Sequence, residues 1–235
     1  MQVGQCIDKS AVDPDVKVII ISGAGKHFTA GLDLKEATKS TGSQSALSSD
    51  PVKDAGRKMM TSRIGILQTQ SYLTALQRTN KTIICVLHGH SMGAAIDLTS
   101  AGDIRICSAD TNFSVKEVDV GLAPDLGSLQ RFPKVVGNQS WARQMIYTAK
   151  NFSAAEALKF GFVSEVLPTK DAAINRAIEL AKDIASKSPM AVQGSKHIVD
   201  YSLQHGVQDG KFIHKKRGGC CCNRDLGYIK FKKKN

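Results

Sequence analysis

The stretch HGHSMGAAID, residues 88–97, joins an apolar run to a short helical pattern, and the rest of the chain is arranged around it. The run before it, TIICVL at residues 82–87, is predicted to be a buried strand because it is continuous, apolar and rich in β-branched residues. The residues after it, 94–101, have helical spacing, with Asp97 in the first turns. A strand, a glycine-containing turn and a helix start leave backbone N–H groups free at a positive dipole end. Such a place suits a developing oxyanion.

Three acids follow one another in this part of the sequence. Twenty residues separate Asp97 from Glu117, and eight more lead to Asp125. Two carboxyl groups can act as general acid and base where an apolar pocket raises a pKa toward the working pH. Loop acids are more often solvated, so the spacing alone favours that simpler interpretation.

Hydrophobic periodicity predicts an α/β core, with strands early in the chain and helices late. Residues 38–54, rich in Ser, Thr, Gly and Asp, are predicted to be a flexible surface segment, and residues 116–127 a loop. Strands are predicted at residues 16–22, 82–87, 103–107, 112–115 and 162–167. Helices are predicted at residues 59–77, 94–101, 138–149, 154–160, 169–186 and 189 to about 203.

Composition is ordinary for a globular protein, with 42% apolar and 23% charged residues in a chain of 235. No apolar run approaches the ~20 residues of a membrane span. The net charge is +11, but residues 211–235 hold nine Lys or Arg and one acid, so most of the excess lies there. We therefore predict a domain at residues 1–205 and a basic, poorly packed tail at residues 206–235.

The cysteines favour a reducing compartment. Cys85 and Cys107 lie in apolar stretches, as reduced core cysteines do. The adjacent cysteines at 220–222 suit neither a disulfide framework nor zinc-ligand spacing, and no metal-binding set is evident. No secretory, transit or peroxisomal targeting signal is visible in this sequence.

Three stretches carry a resemblance to the enoyl-CoA hydratase/isomerase (crotonase) family, extending from about residue 16 to residue 203. They are ISGAGKHFTAGLDL at 21–34, VLHGHSMGAAIDLTSAGDIRICSAD at 86–110 and FSVKEVDVGLAPDLGSLQRFPKVVGNQS at 113–140. The segment KEVDVGLAPD, with its second acid, resembles the dienoyl-CoA isomerase branch. The resemblance implies a crotonase-like (ClpP/crotonase) α/β fold of stacked ββα units with C-terminal helices, shortened here at both ends.

The resemblance also implies an acyl-CoA thioester substrate and no cofactor beyond its CoA. The thioester oxygen would accept hydrogen bonds from the backbone N–H groups of Leu32 and Ala94. The family usually has Gly-Gly-Gly where this chain has Gly-Ala-Ala at 93–95, which questions any positive φ at the alanines. The implied substrate-binding residues are Ala30, Gly31, Leu32, Asp33, Leu34 and Ala94.

Glu117 and Asp125 match the acid/base pair of the isomerase branch, and Asp97 matches its third acid. A shift from 3,5-dienoyl to 2,4-dienoyl needs a proton removed at one end of the conjugated system and returned at the other. We predict Asp125 as the base near C2 and Glu117 as the donor near C6, although the reverse order is open. Hydratases of the family typically have Glu where Asp97 stands, so the shorter side chain weakens a hydratase interpretation. Asp119 is expected to support the loop.

The resemblance implies an isomerase of unsaturated fatty-acid β-oxidation in the mitochondrial matrix or peroxisome, and a homo-oligomer, trimer or hexamer. Membrane and nucleic-acid partners are not expected. The alternatives are an enoyl-CoA hydratase and a non-catalytic thioester- or RNA-binding relative that uses the basic tail. A shortened chain would form weaker oligomers and be less stable than a full-length relative. A Ser91 nucleophile with His88 or His90 is disfavoured, and Lys26 could meet a CoA phosphate or be solvated.

Overall fold

A computed structural model of the chain describes residues 2–31 and 54–209. Its strands are β1 (Val18–Ser22), β2 (Thr82–Leu87), β3 (His90–Met92), β4 (Ile104–Ser108), β5 (Asn112–Ser114), β6 (Phe152–Ser153) and β7 (Glu165–Leu167). Its helices are α1 (Gln2–Val12), α2 (Ala55–Arg78), α3 (Ala94–Ser100), α4 (Ser128–Val135), α5 (Gln139–Thr148), α6 (Ala154–Lys159), α7 (Lys170–Ala185) and α8 (Pro189–Ser202). A 3-10 turn spans Glu117–Val120.

The main sheet is parallel throughout, in the order β1-β2-β4-β7. Every residue of β2 is buried, because this strand lies inside the sheet and both sheet faces are covered. On one face, Ile84, Val86 and Ile106 pack against Ala173 and Ala177 of α7. The continuous apolar run at 82–87 therefore specified a central strand.

The stretch that follows β2 passes from the main sheet into a second, smaller sheet of order β3-β5-β6. Here β3 runs parallel to β5, which is antiparallel to β6. We expected only a turn between β2 and α3, and that expectation is wrong for residues 90–92. Three partly polar residues have no readable alternation, so this strand exists because it pairs with Asn112–Ser114, 22 residues away in sequence.

An aromatic cluster joins the second sheet to α4 and α5. Phe113 and Phe152 stack with ring centroids 5.1 Å apart, and Phe132 meets Phe162 edge-on at 5.2 Å. Each of these rings is almost fully buried, which stabilises the fold by about 1.5–3 kcal/mol per side chain. This packing holds α4, through Phe132, against the residues of the second sheet and Phe162.

Most long elements confirm the predictions to within a few residues, including the helices at 55–78, 139–148, 170–185 and 189–202. Ser153 begins α6 with a capping box to Glu156, as its sequence indicates. Two helices were missed. Helix α1 has no cap signal in its sequence, and α4 contains Pro133, which breaks the helical pattern but is tolerated in this short helix.

Other expectations need adjustment. The strand predicted at 162–167 begins only at Glu165, because Phe162 and Val163 lie in the core after the Gly161 turn. The predicted loop at 116–127 contains the 3-10 turn. The surface segment at 38–54, apart from Asp54, lies outside the described residues, as do residues 210–235 of the basic tail.

Cys85 and Cys107 are buried free thiols, as predicted. Within residues 2–31 and 54–209, no helix is both long and apolar enough to cross a bilayer. The same residues contain no cluster of three His, Cys, Asp or Glu side chains arranged to hold a metal ion.

Candidate active site

The turn between β3 and α3 places free backbone donors at the start of a helix. Gly93 adopts φ 54° and ψ −113°, and its N–H donates to the carbonyl of Ser114 at 2.9 Å. Neither Ala94 nor Ala95 has a positive φ, so the question raised by the Gly-Ala-Ala sequence is resolved: the single glycine makes the turn. Ala94 opens α3, where first-turn N–H groups have no acceptor within the helix.

A second loop lies directly beside this turn. The N–H of Met92 donates to the carbonyl of Thr29 at 3.0 Å, and Thr29 forms an isolated parallel bridge with Ser91. Gly31 has φ 90°, and a Cβ built on it would lie 3.3 Å from the carbonyl oxygen of Met92. Gly31 thus lies beside the Gly93 turn, and substrate binding by Ala30 and Gly31 stays a prediction.

The predicted residues of that second loop are only partly described. Leu32, Asp33 and Leu34 lie outside the described residues. The backbone N–H of Leu32 as an oxyanion donor therefore stays a prediction.

Glu117 projects from the start of the 3-10 turn toward the Gly93 turn. Its Oε1 atom lies 3.4 Å from the position that a Cβ on Gly93 would take. Its Oε2 atom is buried and has no hydrogen-bond partner among the described residues. Burial raises the pKa of Glu117 above its ordinary value, and the charges of Asp97 and Asp125 raise it further against an opposing backbone hydrogen bond. A carboxyl group in these surroundings holds a proton more readily than one in water.

Asp97 is 1% exposed on α3, behind the turn. Its Oδ1 atom accepts hydrogen bonds from the backbone N–H of Ser128 at 2.7 Å and from the Ser128 hydroxyl at 2.6 Å. Burial raises the pKa of Asp97, while these two bonds and the charge of Arg131 act in the opposite direction. The carboxylate therefore contacts the start of α4 and does more than complement the dipole of its own helix.

Asp125 is exposed on the loop before α4, and two hydrogen bonds hold the backbone of this loop. Its carbonyl accepts a short hydrogen bond from the side-chain amide of Gln70, and the next carbonyl, of Leu126, accepts one from Arg131 at 3.3 Å. The pKa values of Asp97 and Glu117 are raised mainly by burial, and the charge of Asp125 makes a smaller contribution in the same direction. The structure thus brings together all three acids named from the sequence.

A family model described as enoyl-CoA hydratase/isomerase matches residues 2–213 of this chain. The chain belongs to this family. The rat mitochondrial Δ(3,5)-Δ(2,4)-dienoyl-CoA isomerase (Rattus norvegicus) is 44% identical over 205 residues, which are 87% of this chain and 61% of the relative. This chain therefore spans about three fifths of that relative's length. The peroxisomal enzyme of the same name from Arabidopsis thaliana is 41% identical over 84% of this chain and 69% of its own.

Hydratases are also similar to this chain. The short-chain-enoyl-CoA hydratase of Clostridium acetobutylicum is 31% identical over 89% of this chain and 73% of its own. The crystal structure of an enoyl-CoA hydratase from Bacillus anthracis superposes with a TM-score of 0.79 at 25% identity, covering 94% of this chain and 78% of that one. The predicted crotonase-like α/β fold is confirmed.

In this family member, three further polar residues differ in their contacts. His88 is 2% exposed, and its Nε2 atom lies 3.1 Å from the carbonyl oxygen of Gly25. The hydroxyl of Ser91 is buried without a hydrogen-bond partner among the described residues, so no base activates it as a nucleophile there. Asp119 pairs with Lys116 at 3.0 Å, in agreement with its predicted supporting role.

Sequence reasoning missed Ser128, Arg131 and Gln70, which contact the acids or the loop that carries them. Each is an ordinary polar residue in an amphipathic or loop pattern, with no motif of its own. A usable signal was the pair Gly127-Ser128, because glycine and serine are both common at the start of a helix. In the structure, Gly127 has φ 124° and directly precedes α4. Since α4 itself was not predicted, that signal had no context.

Proposed function

We propose that this chain converts 3,5-dienoyl-CoA thioesters to 2,4-dienoyl-CoA thioesters in the β-oxidation of unsaturated fatty acids. The observation that carries the proposal is the position of Glu117. Its half-buried carboxyl group, with one oxygen unpartnered among the described residues, lies beside the Gly93 turn and within electrostatic range of two further acids. A proton-bearing carboxyl next to an oxyanion turn is what such a double-bond shift requires.

The thioester carbonyl oxygen would bind at the start of α3, where the backbone N–H of Ala94 is the donor, together with the predicted donor on Leu32. Removing a proton from C2 places negative charge on that oxygen. One preorganised donor of this kind stabilises the transition state by roughly 3–4 kcal/mol. Because backbone donors do not depend on the side chain, an alanine serves as well as a glycine.

Asp125 would take the C2 proton and Glu117 would supply a proton at C6. The C2–H bond breaks and its electron pair forms the C2–C3 double bond. The π electron pair of C3–C4 moves to C4–C5, and the π electron pair of C5–C6 forms the new C6–H bond. Asp125 is then protonated and Glu117 ionised, so one proton must pass back between them before the next turnover. Two acids are needed because a single carboxylate cannot easily reach both ends of the system.

The comparisons support this reaction over hydration. The relatives at 41–44% identity are named dienoyl-CoA isomerases, whereas the hydratase from Clostridium is 31% identical. Asp97 also supports it, since its carboxylate is engaged by Ser128. Hydratases of the family would use a longer side chain at that position, with Glu117, to hold a water molecule.

The proposal extends to partner and compartment. We propose that the chain forms a homo-oligomer, trimeric or hexameric, as the resemblance implies, and acts in mitochondria or peroxisomes, the compartments named for the rat and Arabidopsis relatives. Sedimentation of the purified chain tests the first point, and localisation of the tagged full-length protein tests the second. Activity of dialysed protein without additions tests the absence of a cofactor beyond CoA.

The deciding experiment supplies the purified chain with a 3,5-dienoyl-CoA and, separately, a 2-enoyl-CoA. Isomerisation increases the absorbance of the conjugated dienoyl group, and hydration decreases that of the enoyl group. We expect the first reaction, with Asp125→Asn lowering kcat by about 10²- to 10⁴-fold and Asp119→Asn as the matched control.

Three outcomes contradict the proposal in different ways. Enoyl hydration without dienoyl isomerisation makes the chain a hydratase. Thioester binding without turnover of either substrate makes it a non-catalytic binding protein. Full isomerase activity in Asp125→Asn removes that residue from the mechanism.

A further inference from the structure

Ser128 is a buried hydroxyl residue in direct contact with one of the three acids. It is fully buried at the first position of α4, immediately after Gly127. Its N–H and its O–H both donate to the same atom, Oδ1 of Asp97, at 2.7 and 2.6 Å. A charged acceptor that receives two short hydrogen bonds is strongly favoured in its ionised form.

The other charged groups around Asp97 do not replace these bonds. Arg131, one turn further along α4, attracts Asp97 through its charge, but its guanidinium donates to Gln77, Thr74 and the carbonyl of Leu126. Asp125 opposes ionisation of Asp97 by repulsion. Burial on balance raises the pKa of Asp97, and Ser128 supplies the direct contacts that oppose this rise and favour the carboxylate form.

The charge of Asp97 has an effect on Glu117. Asp97 and Asp125 both favour the protonated form of Glu117 by repulsion, in addition to burial. The nearest cation in sequence, Lys116, is engaged by Asp119 and by the carbonyl of Ala149, both at 3.0 Å. A fixed negative charge at Asp97 thus helps Glu117 to keep its proton.

We propose that Ser128 is a positioning residue, which holds Asp97 as an oriented carboxylate so that Glu117 remains a proton donor. Asp97 in this arrangement carries no proton during turnover, and its function is to provide charge. The role of Glu117 as donor rests on the proposed function, whereas the coupling of Ser128, Asp97 and Glu117 does not.

In Ser128→Ala, the pKa values of Asp97 and Glu117 should change in opposite directions. Without the hydroxyl, Asp97 retains one donor against the same burial, so its pKa rises. Asp97 is then neutral over a wider range of pH and repels the Glu117 carboxylate less, so the pKa of Glu117 falls. A loss of packing alone would expose both acids to water and lower both pKa values together.

The test is a carbon-13 NMR titration of the side-chain carboxyl groups in the substrate-free protein, with the two resonances assigned from Asp97→Asn and Glu117→Gln. In Ser128→Ala we expect the pKa of Asp97 to rise by about one unit, which is a tenfold change in proton affinity, and the pKa of Glu117 to fall by less. The matched control is Ser100→Ala, which removes a buried hydroxyl on α3 that donates to backbone carbonyls. Unchanged titrations, shifts of the same sign, or equal shifts in the control overturn the inference.

A kinetic measurement separates this inference from the proposed function. The basic limb of the kcat profile should move to lower pH in Ser128→Ala with KM changed less than about twofold, because the acid form of Glu117 is lost earlier. In an Asp97→Asn background the Ser128→Ala change should have no further effect on the profile, and an additive effect would contradict the coupling.

Opposite NMR shifts in a protein without isomerase activity would sustain the positioning role and defeat the proposed function. An active isomerase in which Ser128→Ala leaves both pKa values unchanged would support the proposed function and contradict the positioning role of Ser128.

Discussion

Two groups of acids in this molecule differ in whether an acid forms an ion pair with a cation. At the start of β4, Asp103 receives the Lys196 ammonium at 2.6 and 2.7 Å, and Asp103 also accepts the N–H of Ile83 at 2.7 Å. Around the Gly93 turn, the acids Asp97, Glu117 and Asp125 lie within electrostatic range of each other, and none forms an ion pair among the described residues. The first cluster joins α8 to the sheet, and the second leaves protons available for exchange.

The comparison shows that burial of an acid does not by itself indicate function. Lys196 is 7% exposed and Asp103 is 21% exposed, so this pair is well removed from water and fully compensated. Glu117 is half-buried with an unpartnered oxygen and a raised pKa. The uncompensated acid is the one with usable chemistry.

The largest expected effect is on catalysis. Glu117→Gln removes the proposed proton donor and should lower kcat by about 10²- to 10⁴-fold, measured by formation of the conjugated dienoyl product. Asp103→Asn, in the compensated cluster, should lower stability but leave kcat of the folded protein unchanged. Comparable losses of kcat in the two variants would erase the distinction between the clusters.

The next effect is on stability. Lys196→Met leaves Asp103 without its cation, and it should lower the free energy of unfolding by about 3 kcal/mol, read from the urea midpoint at constant m-value. The control is Arg57→Met, whose partner Asp54 is exposed, with side-chain exposures of 81% and 64%. We expect no measurable change in that control. A stable Lys196→Met variant would show that the compensated cluster does not hold α8 in place.

A smaller effect is expected at the turn that faces Glu117. Gly93→Ala forces a Cβ onto a residue with φ 54° and places it 3.4 Å from Oε1 of Glu117. The change should cost about 1–2 kcal/mol of stability, because L side chains rarely adopt this backbone conformation. It should also reduce kcat, because the added methyl group contacts the proposed proton donor. Gly25→Ala is the control, since a Cβ there meets nothing within 4 Å. Equal thermal midpoints and activities in the two variants would contradict the required geometry.

The smallest effect is a dependence of stability on pH. Burial raises the pKa of Glu117 in the folded state above its ordinary value of 4.5, so the folded protein binds that proton more tightly than the unfolded chain does. The cost of ionising Glu117 therefore begins as pH rises through the ordinary value and is complete above the folded-state pKa. Glu117→Gln should be more stable than the parent at neutral pH.

Removing the negative charge should have the opposite effect on stability at Asp103, which is paired with Lys196. Asp103→Asn should be less stable than the parent at neutral pH, because Lys196 then loses its shorter ion pair, at 2.6 Å, and keeps only the contact with Asp200 at 3.7 Å. Urea midpoints at neutral pH and at a pH below the ordinary value of 4.5 distinguish the two cases: the advantage of Glu117→Gln should vanish at the lower pH. A persistent advantage there would mean that the glutamine stabilises the protein by packing and not by removing charge.

Several features of the fold could be predicted from local sequence. The buried strand at 82–87 followed from a continuous apolar run, and the long helices followed from 3.6-residue spacing and caps such as Ser153. The three acids were named from two segments that resemble a family. These features are local because they depend on residues a few positions apart, which a sequence displays directly.

Other features of the fold and the site depend on contacts between residues distant in sequence. Strand β3 exists only through its pairing with β5, and α4 was hidden by Pro133. The contact of Ser128 with Asp97 spans 31 residues, and the unpartnered oxygen of Glu117 depends on what surrounds it. Which acids are present, and near which turn, could be inferred from the sequence alone. Their burial, their partners and hence their proton affinities were set by long-range packing, because solvent exclusion and electrostatic distance are properties of the folded molecule.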